Sequence, residues 1–417
     1  MDCQKYLDAL HREIKPALGC TEPIAVALAV AKATETLGCR PEKIALWVST
    51  NILKNAMGVG IPGTGMVGLE IASALSCIAG RSAYGLEVLS AATPEDCEAA
   101  RAYAATGCIQ VHTKDTEKKL YIEAHTYANG HEAVCVIEDA HTNVTHVQLD
   151  DQVLEHQETQ TLHPGASMGD DLDVVGIYGF ATTVDLNCVR FLNDAIAMND
   201  TIAQEGLSGD WGANIGSVLL SAYGDDVKVR ACALAAAGSD ARMSGCELPV
   251  VINSGSGNQG LTASMPVIEY ARHLGADEEK LYRALVLSNL CAIHQKTGIG
   301  RLSAFCGAVC AGAAAGAGIA YLNGGGYKEA VHAVVNALSI VSGIVCDGAK
   351  PSCAAKIAMS VNAGILGYEM YRAGQQFYDG DGIVKKGVEN TIESVCRVGR
   401  EGMRATNDEI IRIMLGS

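Results

Sequence analysis

The feature that most restricts how this chain can fold is a long, weakly charged segment at 302–327, LSAFCGAVCAGAAAGAGIAYLNGGGY. It consists mainly of Ala and Gly, which gain little from contact with lipid, and no aromatic belt marks both of its ends. Small side chains do let helix backbones approach closely. Because only 5% of the residues are aromatic and 46 are Gly, small residues must do much of the packing. The segment therefore predicts a buried helix in a tightly packed helical domain.

The hydrophobic pattern changes along the chain and indicates an α+β fold. Alternating segments at 120–127, 132–137 and 143–149 predict antiparallel strands, with further strands at 44–50 and 85–90. A chain of 417 residues suggests two domains. We predict an α+β domain with a small antiparallel sheet at 40–160. A larger all-helical, Ala/Gly-rich domain would comprise 1–39 and 161–417, although the N-terminal helices could pack on either part.

Charge and cysteine usage restrict the class of function. The formal net charge of −16 disfavours binding to nucleic acid or to anionic membranes, since both require basic patches. The N-terminal segment MDCQKYLDALHREIKPALGC has no apolar core and is not a signal peptide. Sixteen cysteines in a large unsecreted chain indicate the reducing cytoplasm, where they are free, metal-bound or catalytic. We expect small-molecule chemistry, and the sequence leaves a homo-oligomer open.

Three cysteines differ from the others by their context. Cys306 precedes the Ala/Gly helix, and Cys346 and Cys353 lie in CDGAKPSC, where Gly348 and Pro351 indicate a loop. Thiolates presented by loops are the natural ligands of iron–sulfur clusters. The spacing of seven residues matches neither the usual zinc pairs nor a ferredoxin pattern. A chance occurrence of core cysteines therefore stays open as the alternative.

Further candidate residues lie in three other motifs. Cys20 directly precedes a helix for which Thr21 is a plausible N-cap, and the positive helix end would favour its thiolate; a buried small residue is the alternative. The segment NSGSGNQG at 253–260 offers clustered amides for an anion such as a carboxylate, or is a plain turn. The Gly-rich loop 54–66 begins with a cation. The candidate substrate-binding residues are Asn253, Ser254, Ser256, Asn258, Gln259 and Lys54.

Five histidines accompany the predicted strands. They could form a metal site, but alternate polar positions on an exposed sheet face are the commoner cause of such a pattern. The five are His112, His125, His131, His141 and His146.

Several motifs together resemble one known family. Read in order along the chain, they are similar to the L-cysteine desulfidase family, and the helical half resembles, more distantly, the α-domain of the iron–sulfur L-serine dehydratases. The motifs are ALGCTEP (17–23), KNAMGVGIPGTGM (54–66), NSGSGNQG (253–260), IGRLSAFCGA (299–308) and CDGAKPSC (346–353).

This resemblance implies a cofactor and a reaction. It implies a [4Fe–4S] cluster held by Cys306, Cys346 and Cys353 with one iron left open, and Cys20 as the base. The reaction implied is β-elimination from a small amino acid, converting L-cysteine to pyruvate, ammonia and hydrogen sulfide. Cys310 is an extra thiol one helical turn after Cys306, which we interpret as a core residue.

Three alternatives remain at the level of sequence. An L-serine dehydratase would use the same cluster and release water from a hydroxyl substrate. A pyridoxal-phosphate lyase would catalyse the same overall reaction and would require a Schiff-base lysine. A non-catalytic iron–sulfur redox or iron sensor is disfavoured because no DNA-binding motif or basic surface is present. The lysines available for a Schiff base are Lys54, Lys296, Lys350 and Lys356.

Overall fold

The fold is described by a computed structural model, which covers residues 3–157, 172–300 and 302–416. The predicted domain boundary at 160/161 therefore lies outside the described residues. The helices are α1 (Gln4–Glu13), α2 (Thr21–Leu37), α3 (Thr50–Ala56), α4 (Leu69–Ala79), α5 (Pro94–Ala104), α6 (Val174–Thr183), α7 (Leu192–Ser208), α8 (Ile215–Tyr223), α9 (Val227–Met243), α10 (Gly257–Leu274), α11 (Glu278–Ile299), α12 (Gly307–Leu322), α13 (Tyr327–Val341), α14 (Ser352–Arg372), α15 (Val388–Arg397) and α16 (Arg404–Leu415). The strands are β1 (Pro16–Leu18), β2 (Lys43–Val48), β3 (Ile109–Thr113), β4 (Tyr121–Ala128), β5 (His131–Glu138), β6 (Val144–Leu149), β7 (Gln152–His156) and β8 (Pro249–Val251).

A six-stranded sheet has the order β3-β2-β4-β5-β6-β7. All neighbouring pairs are antiparallel except β2 and β3, which are parallel. Along β4, buried and half-buried residues alternate strictly, as expected for a sheet with one face on a core. The three strands predicted between residues 120 and 149 and the one near residue 44 are confirmed. The sheet is larger than expected because β3 and β7 join its two edges.

The sheet packs on one face against α2 and α4, and α5 packs on α4. Segment 1–39 is consequently divided: α1 packs in the helical core, whereas α2 packs in the core beneath the sheet. From Pro23 to Ala31 every residue of α2 is apolar and buried. A helix without a polar face carries no periodic signal that tells which layer covers it. The sequence prediction placed residues 1–39 in the helical domain. In the structure α2 packs on the sheet instead.

The helical part surrounds α12, which contacts α10, α11, α13 and α14 and is almost entirely buried. This confirms the buried Ala/Gly helix. A Cβ atom on Gly364 of α14 would collide with the carbonyl oxygen of Gly312 on α12, and one on Gly312 would collide with the Ser360 backbone. Glycine at these positions therefore sets the close approach of the two helices. Among the described residues, no helix is both long and apolar enough to traverse a bilayer.

One predicted element is wrong. Residues 85–90 do not form a strand; Ser82–Glu87 is a 3-10 turn in which Gly85 has φ of 56°. This positive φ lies in a region that strand residues do not adopt, and the apolar residues that suggested a strand instead pack beside α2.

A small second sheet joins the N-terminus to the helical part. Strand β1 pairs antiparallel with β8, with Pro16 opposite Val251 and Leu18 opposite Pro249. Cys20 follows β1 within two residues, and the 253–260 segment follows β8. This pairing therefore places two of the sequence motifs beside each other at the junction between the two layers.

Candidate active site at the junction of the two layers

A short backbone ladder holds two of the three cysteines side by side. Phe305 and Val345 form an isolated antiparallel bridge. The amide of Cys306 donates to the carbonyl of Ile344 at 3.1 Å, and the amide of Cys346 donates to the carbonyl of Ala304 at 2.6 Å. Cys306 is the N-cap residue of α12, so the ladder also fixes where that helix begins.

The third cysteine is delivered by a tight turn. Cys353 lies in the first turn of α14, and its Sγ is 3.6 Å from the carbonyl oxygen of Gly348. Gly348 has φ of 95°, and a Cβ atom there would collide with the carbonyl oxygen of Lys54. Glycine is therefore required for the loop to return Cys353 towards Cys346 while packing on α3.

The three thiols influence one another electrostatically. Burial raises the pKa of Cys306, and Cys346 and Cys353 raise it further. Burial and Cys346 likewise raise the pKa of Cys353. The Lys356 ammonium pairs with Asp347 beside these thiols and acts to lower the pKa values of Cys306 and Cys353. The structure therefore brings the three cysteines near one another, although positions 306 and 353 are 47 apart in sequence.

The donor set suits an iron–sulfur cluster better than a single ion. Within the described ranges, no group of three His, Cys, Asp or Glu side chains is arranged to hold one metal ion. A four-iron cluster differs because each thiolate binds its own iron, so the ligands surround a larger body and need not meet at one point. Three thiols on converging loops, with a lysine nearby, fit that requirement.

Cys20 occupies the N-cap position of α2 and makes an unexpected contact. Its thiol donates to Oε2 of Glu22 at 3.2 Å, and its side chain is 3% exposed. Burial and the charge of Glu22 raise the pKa of Cys20. The expectation that the helix end favours the thiolate is therefore wrong for this resting site, because desolvation and a carboxylate outweigh the helix dipole. Thr21, expected as the N-cap, is instead the first helical residue.

Glu22 is a buried carboxylate that the sequence reasoning missed. Its Oε1 accepts from Nδ2 of Asn55 at 3.1 Å and lies 3.8 Å from Nε2 of His141. Burial acts to raise the pKa of Glu22, but interactions led by His141 outweigh it and lower the pKa to about 2. Glu22 is thus an anion at neutral pH. A glutamate in the first turn of a helix otherwise suggests only a favourable dipole contact, which is why it was not singled out.

The five histidines have different positions. His112, His125 and His146 lie on strands β3, β4 and β6, and His131 begins β5. His141 alone is buried, in the loop after β5, where it faces Glu22. The interpretation of these histidines as polar positions on an exposed sheet face therefore holds for most of them. It does not hold for His141, which is buried next to the candidate site.

Arg242 is the second residue that the sequence reasoning missed. It lies in the last turn of α9 and is 2% exposed. Its Nε donates to the carbonyl of Gly19 at 3.1 Å, and its Nη1 donates to Oδ1 of Asn258 at 3.1 Å. Its Nη2 has no hydrogen-bond partner. In sequence, a basic residue at the end of a helix resembles an ordinary dipole contact, and nothing marks it as buried.

In the 253–260 segment, the first residues bond within the fold and the later ones face the candidate site. Asn253 donates to Oδ1 of Asn289 at 2.9 Å and accepts from Ser254 Oγ, so both side chains are used within the fold. Ser256 is the N-cap of α10 and makes no side-chain cap. Asn258 binds Arg242. Gln259 lies against Gly307, where a Cβ atom would come within 2.6 Å of its Cδ, directly beside Cys306.

Lys54 joins the cysteine loop to the C-terminal helix. Its Nζ donates to Oδ1 of Asn407 at 2.8 Å and to the carbonyl of Cys346 at 3.4 Å. It is 3% exposed, and burial lowers its pKa. In this structure Lys54 therefore contacts the cysteine loop and the C-terminal helix that support the candidate site.

Apolar packing connects Cys20 with the cysteine loop. Cys20, Val59 and Met243 form a small buried cluster against which Ala349 packs. Ala349 belongs to the loop between Cys346 and Cys353, and Met243 follows Arg242. The loop between Cys346 and Cys353 therefore packs beside Cys20 at the N-terminus of α2, close to Arg242.

Several buried polar atoms around this site lack a hydrogen-bond partner. Folded proteins leave few such atoms, so a group of them indicates a place where a ligand or water completes the bonding. The atoms are Nη2 of Arg242, Oε1 of Gln259, Oδ1 of Asn55, Oδ1 of Asn51 and Nε2 of His141.

Comparison with known proteins identifies the family. Residues 83–412 match the family described as serine dehydratase alpha chain, and the chain therefore belongs to that family. The chain is also similar to UPF0597 proteins. One from Desulfitobacterium hafniense is 53% identical over 417 residues, which is 99% of this chain and 96% of the relative. Another from Lachnoclostridium phytofermentans is 47% identical over 414 residues, 99% of each chain.

Proposed function

We propose that this protein is an iron–sulfur lyase that eliminates the β-substituent of a small L-amino acid, with L-cysteine as its substrate and pyruvate, ammonia and hydrogen sulfide as the products. The observation that carries the proposal is the gathering of Cys306, Cys346 and Cys353 next to a buried Cys20–Glu22 pair. Membership of the serine dehydratase alpha chain family supports a lyase.

Cys306, Cys346 and Cys353 would hold a [4Fe–4S] cluster. With three protein ligands the cluster keeps one iron open, and when bound it supplies a Lewis acid for the departing β-substituent. The buried surroundings of Cys306 exclude bulk water from this position. The polar groups nearby are Gln259 at Gly307 and Lys356 beside Asp347.

Elimination also requires removal of the α-proton, and Cys20 is the proposed base. In the resting site Cys20 is a thiol whose proton points at Oε2 of Glu22. Cys20 can therefore accept the α-proton only after its own proton has left. Glu22 Oε2 accepts its hydrogen bond, but the low pKa of Glu22 and the high pKa of Cys20 make proton transfer unfavourable in this structure, so the transfer requires bound substrate to bring the two pKa values closer together. Asn55 and His141 keep the Glu22 carboxylate in position for that transfer.

L-Serine is the second candidate substrate, and the description of the matching family favours it. A hydroxyl would then leave as water in place of hydrogen sulfide, while the fate of the rest of the substrate is the same. The soft thiolate of cysteine suits iron better than a hydroxyl does, which is the chemical reason for preferring cysteine.

The proposal is tested by anaerobic reconstitution of the protein with iron and sulfide, followed by assays of pyruvate from L-cysteine and L-serine at equal concentration. We expect L-cysteine to give pyruvate with an equal amount of sulfide. Pyruvate from L-serine alone would overturn L-cysteine as the substrate while the lyase stands. Absence of turnover with every small amino acid would contradict a lyase and support a sensor. A sharp visible band lost on borohydride treatment would indicate pyridoxal phosphate.

A further inference from the structure

We propose that Arg242 is the receptor for the α-carboxylate of the substrate. The inference rests on the proposed function in taking the ligand to be an amino acid, and it adds the residue that selects for the carboxylate. Three observations carry it: an incomplete set of bonds around a buried guanidinium, the helix ends beside it, and a neighbouring carboxylate whose oxygens are already bonded elsewhere.

The first observation is that Arg242 is buried and that one of its guanidinium nitrogens lacks a hydrogen-bond partner. Its Nε and Nη1 donate to uncharged oxygens of Gly19 and Asn258, and the Glu22 carboxylate interacts with it electrostatically without a direct bond. Among the described residues, no carboxylate forms an ion pair with it, and Nη2 lacks any partner. A buried donor without a partner is costly, so its retention indicates a ligand that accepts its hydrogen bond, and the charge of the guanidinium favours an anion.

The second observation is that positive helix ends meet at the same place. Gly257 is the first residue of α10, and a Cβ atom on it would collide with Nε of Arg242. Gly19, which accepts from that Nε, directly precedes the N-cap of α2. A guanidinium and two helix N-termini together carry more positive charge than Glu22 alone compensates, which favours a second anion among them.

The third observation concerns the neighbouring acid. Glu22 lies close enough to act on Cys20, but its oxygens are already bonded to Cys20, Thr21 and Asn55. Glu22 therefore does not fill the free side of the guanidinium. A carboxylate on Nη2 would lie near Cys20, whose side chain packs beside Met243, the residue after Arg242.

Gln259 extends this arrangement towards the three thiols. It follows Asn258 in the first turn of α10, and its amide lies against Gly307 next to Cys306. One of its amide atoms, Oε1, has no partner. A small amino acid bound by its carboxylate to Arg242 would thus extend along this turn, with its β-substituent towards Cys306.

The inference is tested with ligands that differ only in the carboxylate. L-Alanine keeps the carboxylate and ammonium groups but has no leaving group, so it binds without reacting, and L-alaninamide lacks the negative charge. We expect the reconstituted wild-type protein to bind L-alanine by calorimetry and to bind L-alaninamide at least about 100-fold more weakly. In Arg242→Gln, L-alanine should bind as weakly as the amide.

Turnover supplies the second readout. For Arg242→Gln we expect kcat/KM for L-cysteine to fall about 100-fold, largely through KM, while the rate with L-cysteinamide changes little. Arg242→Lys should recover part of the loss, because a lysine keeps the charge but not the planar fork. The matched control is Arg230→Gln on the same helix, whose arginine pairs with Glu269 and Asp225 away from the site.

The outcomes separate this inference from the proposed function. If wild type converts L-cysteine and Arg242→Gln keeps the preference for L-cysteine over its amide, Arg242 is not the receptor, whereas the lyase stands. If wild type turns over no amino acid but binds L-alanine through Arg242, the lyase fails and the receptor stands. Should Arg242→Gln fail to fold by circular dichroism, Gly257→Ala decides, because its methyl group displaces the guanidinium without removing the charge; retained carboxylate preference there overturns the inference.

Discussion

The outer face of the sheet and the junction between the layers are both rich in ionisable residues, but their bonding differs. On the sheet, His125 bonds to Glu132 at 2.6 Å and to Glu123 at 2.9 Å, and Lys114 pairs with Glu123 at 2.6 Å. The polar network here is closed on itself. Such a network is sufficiently explained by solubility and by local stability.

At the junction, the buried polar groups are fewer and their bonding is incomplete. Arg242 and Asn55 each keep an atom without a partner, and Cys20 is held as a thiol by Glu22. The comparison teaches that the number of titratable residues in a region is a poor guide to function. Buried groups with unfilled bonding capacity are the better guide, since folding alone does not favour them.

The largest effect on turnover is expected from a substitution in the cysteine loop at the junction. Gly348→Ala places a methyl group against the Lys54 carbonyl at a position with φ of 95°, so the cysteine loop must shift. A displacement of about 1 Å costs about 100-fold in turnover. The assay is pyruvate formation by reconstituted protein. Gly343→Ala is the control, because a Cβ atom there meets nothing within 4 Å; equal activity of both variants would contradict the role of this loop.

The next effect concerns the helical packing that supports the site. Gly312→Ala pushes α12 from α14 at the Ser360 backbone. We expect a loss of about 1–3 kcal/mol in the free energy of unfolding, as is typical of overpacked cores. Denaturant unfolding of the variant measures it. A change within the error of the Gly343→Ala control would show that the two helices separate freely.

A smaller effect tests the Cys20–Glu22 pair. Because the charge of Glu22 adds to burial in raising the pKa of Cys20, Glu22→Gln should lower that pKa and increase alkylation of Cys20 about tenfold at fixed pH. Turnover should fall in the same variant, since the proton acceptor is gone. Mass spectrometry of the alkylated peptide follows the first change. Glu35→Gln, on the exposed part of the same helix, is the control, and unchanged alkylation in Glu22→Gln would contradict the pairing.

The smallest effect is expected on the sheet. Burial lowers the pKa of His125, but Glu123 and Glu132 outweigh it and raise the pKa above the usual value of 6.5. The protonated ring therefore stabilises the fold fully below about pH 6.5, and this contribution is lost as the pH rises through the folded-state pKa. His125→Gln should lower stability by about 1 kcal/mol or less at pH 5.5, and less at pH 9. Thermal unfolding at both pH values measures it, and reduced turnover would contradict a purely structural network.

The sequence predicted local elements better than their placement. Helix α12 and strands β4 to β6 have strong compositional or alternating patterns, and these predictions are confirmed. The layer that covers α2 depends on long-range packing, which an apolar helix does not encode. The strand expected at 85–90 was wrong because one positive φ at Gly85 turns the chain.

The sequence motifs predicted the cysteines of the candidate site. The sequence did not mark the ordinary residues that surround those cysteines. The cysteines were visible because loops with Gly and Pro framed them. Arg242, Glu22 and His141 carry no local mark of burial, since each resembles a common helix-end or loop residue. Only the fold shows that they face one another across 220 residues of chain between Glu22 and Arg242. A helix N-terminus likewise suggested a thiolate at Cys20, and the buried carboxylate reversed that expectation.

The most direct measurement is the iron and acid-labile sulfide content, with the visible spectrum, of anaerobically reconstituted protein in which Cys306, Cys346 or Cys353 is changed to Ser. Cys310→Ser is the matched control, because that thiol lies in α12 one turn after Cys306 and is fully buried in the helical core. We predict that wild type and Cys310→Ser take up a full cluster and that each of the other three variants loses it. Retention of the cluster by any one of the three, or its loss only in Cys310→Ser, would contradict the account.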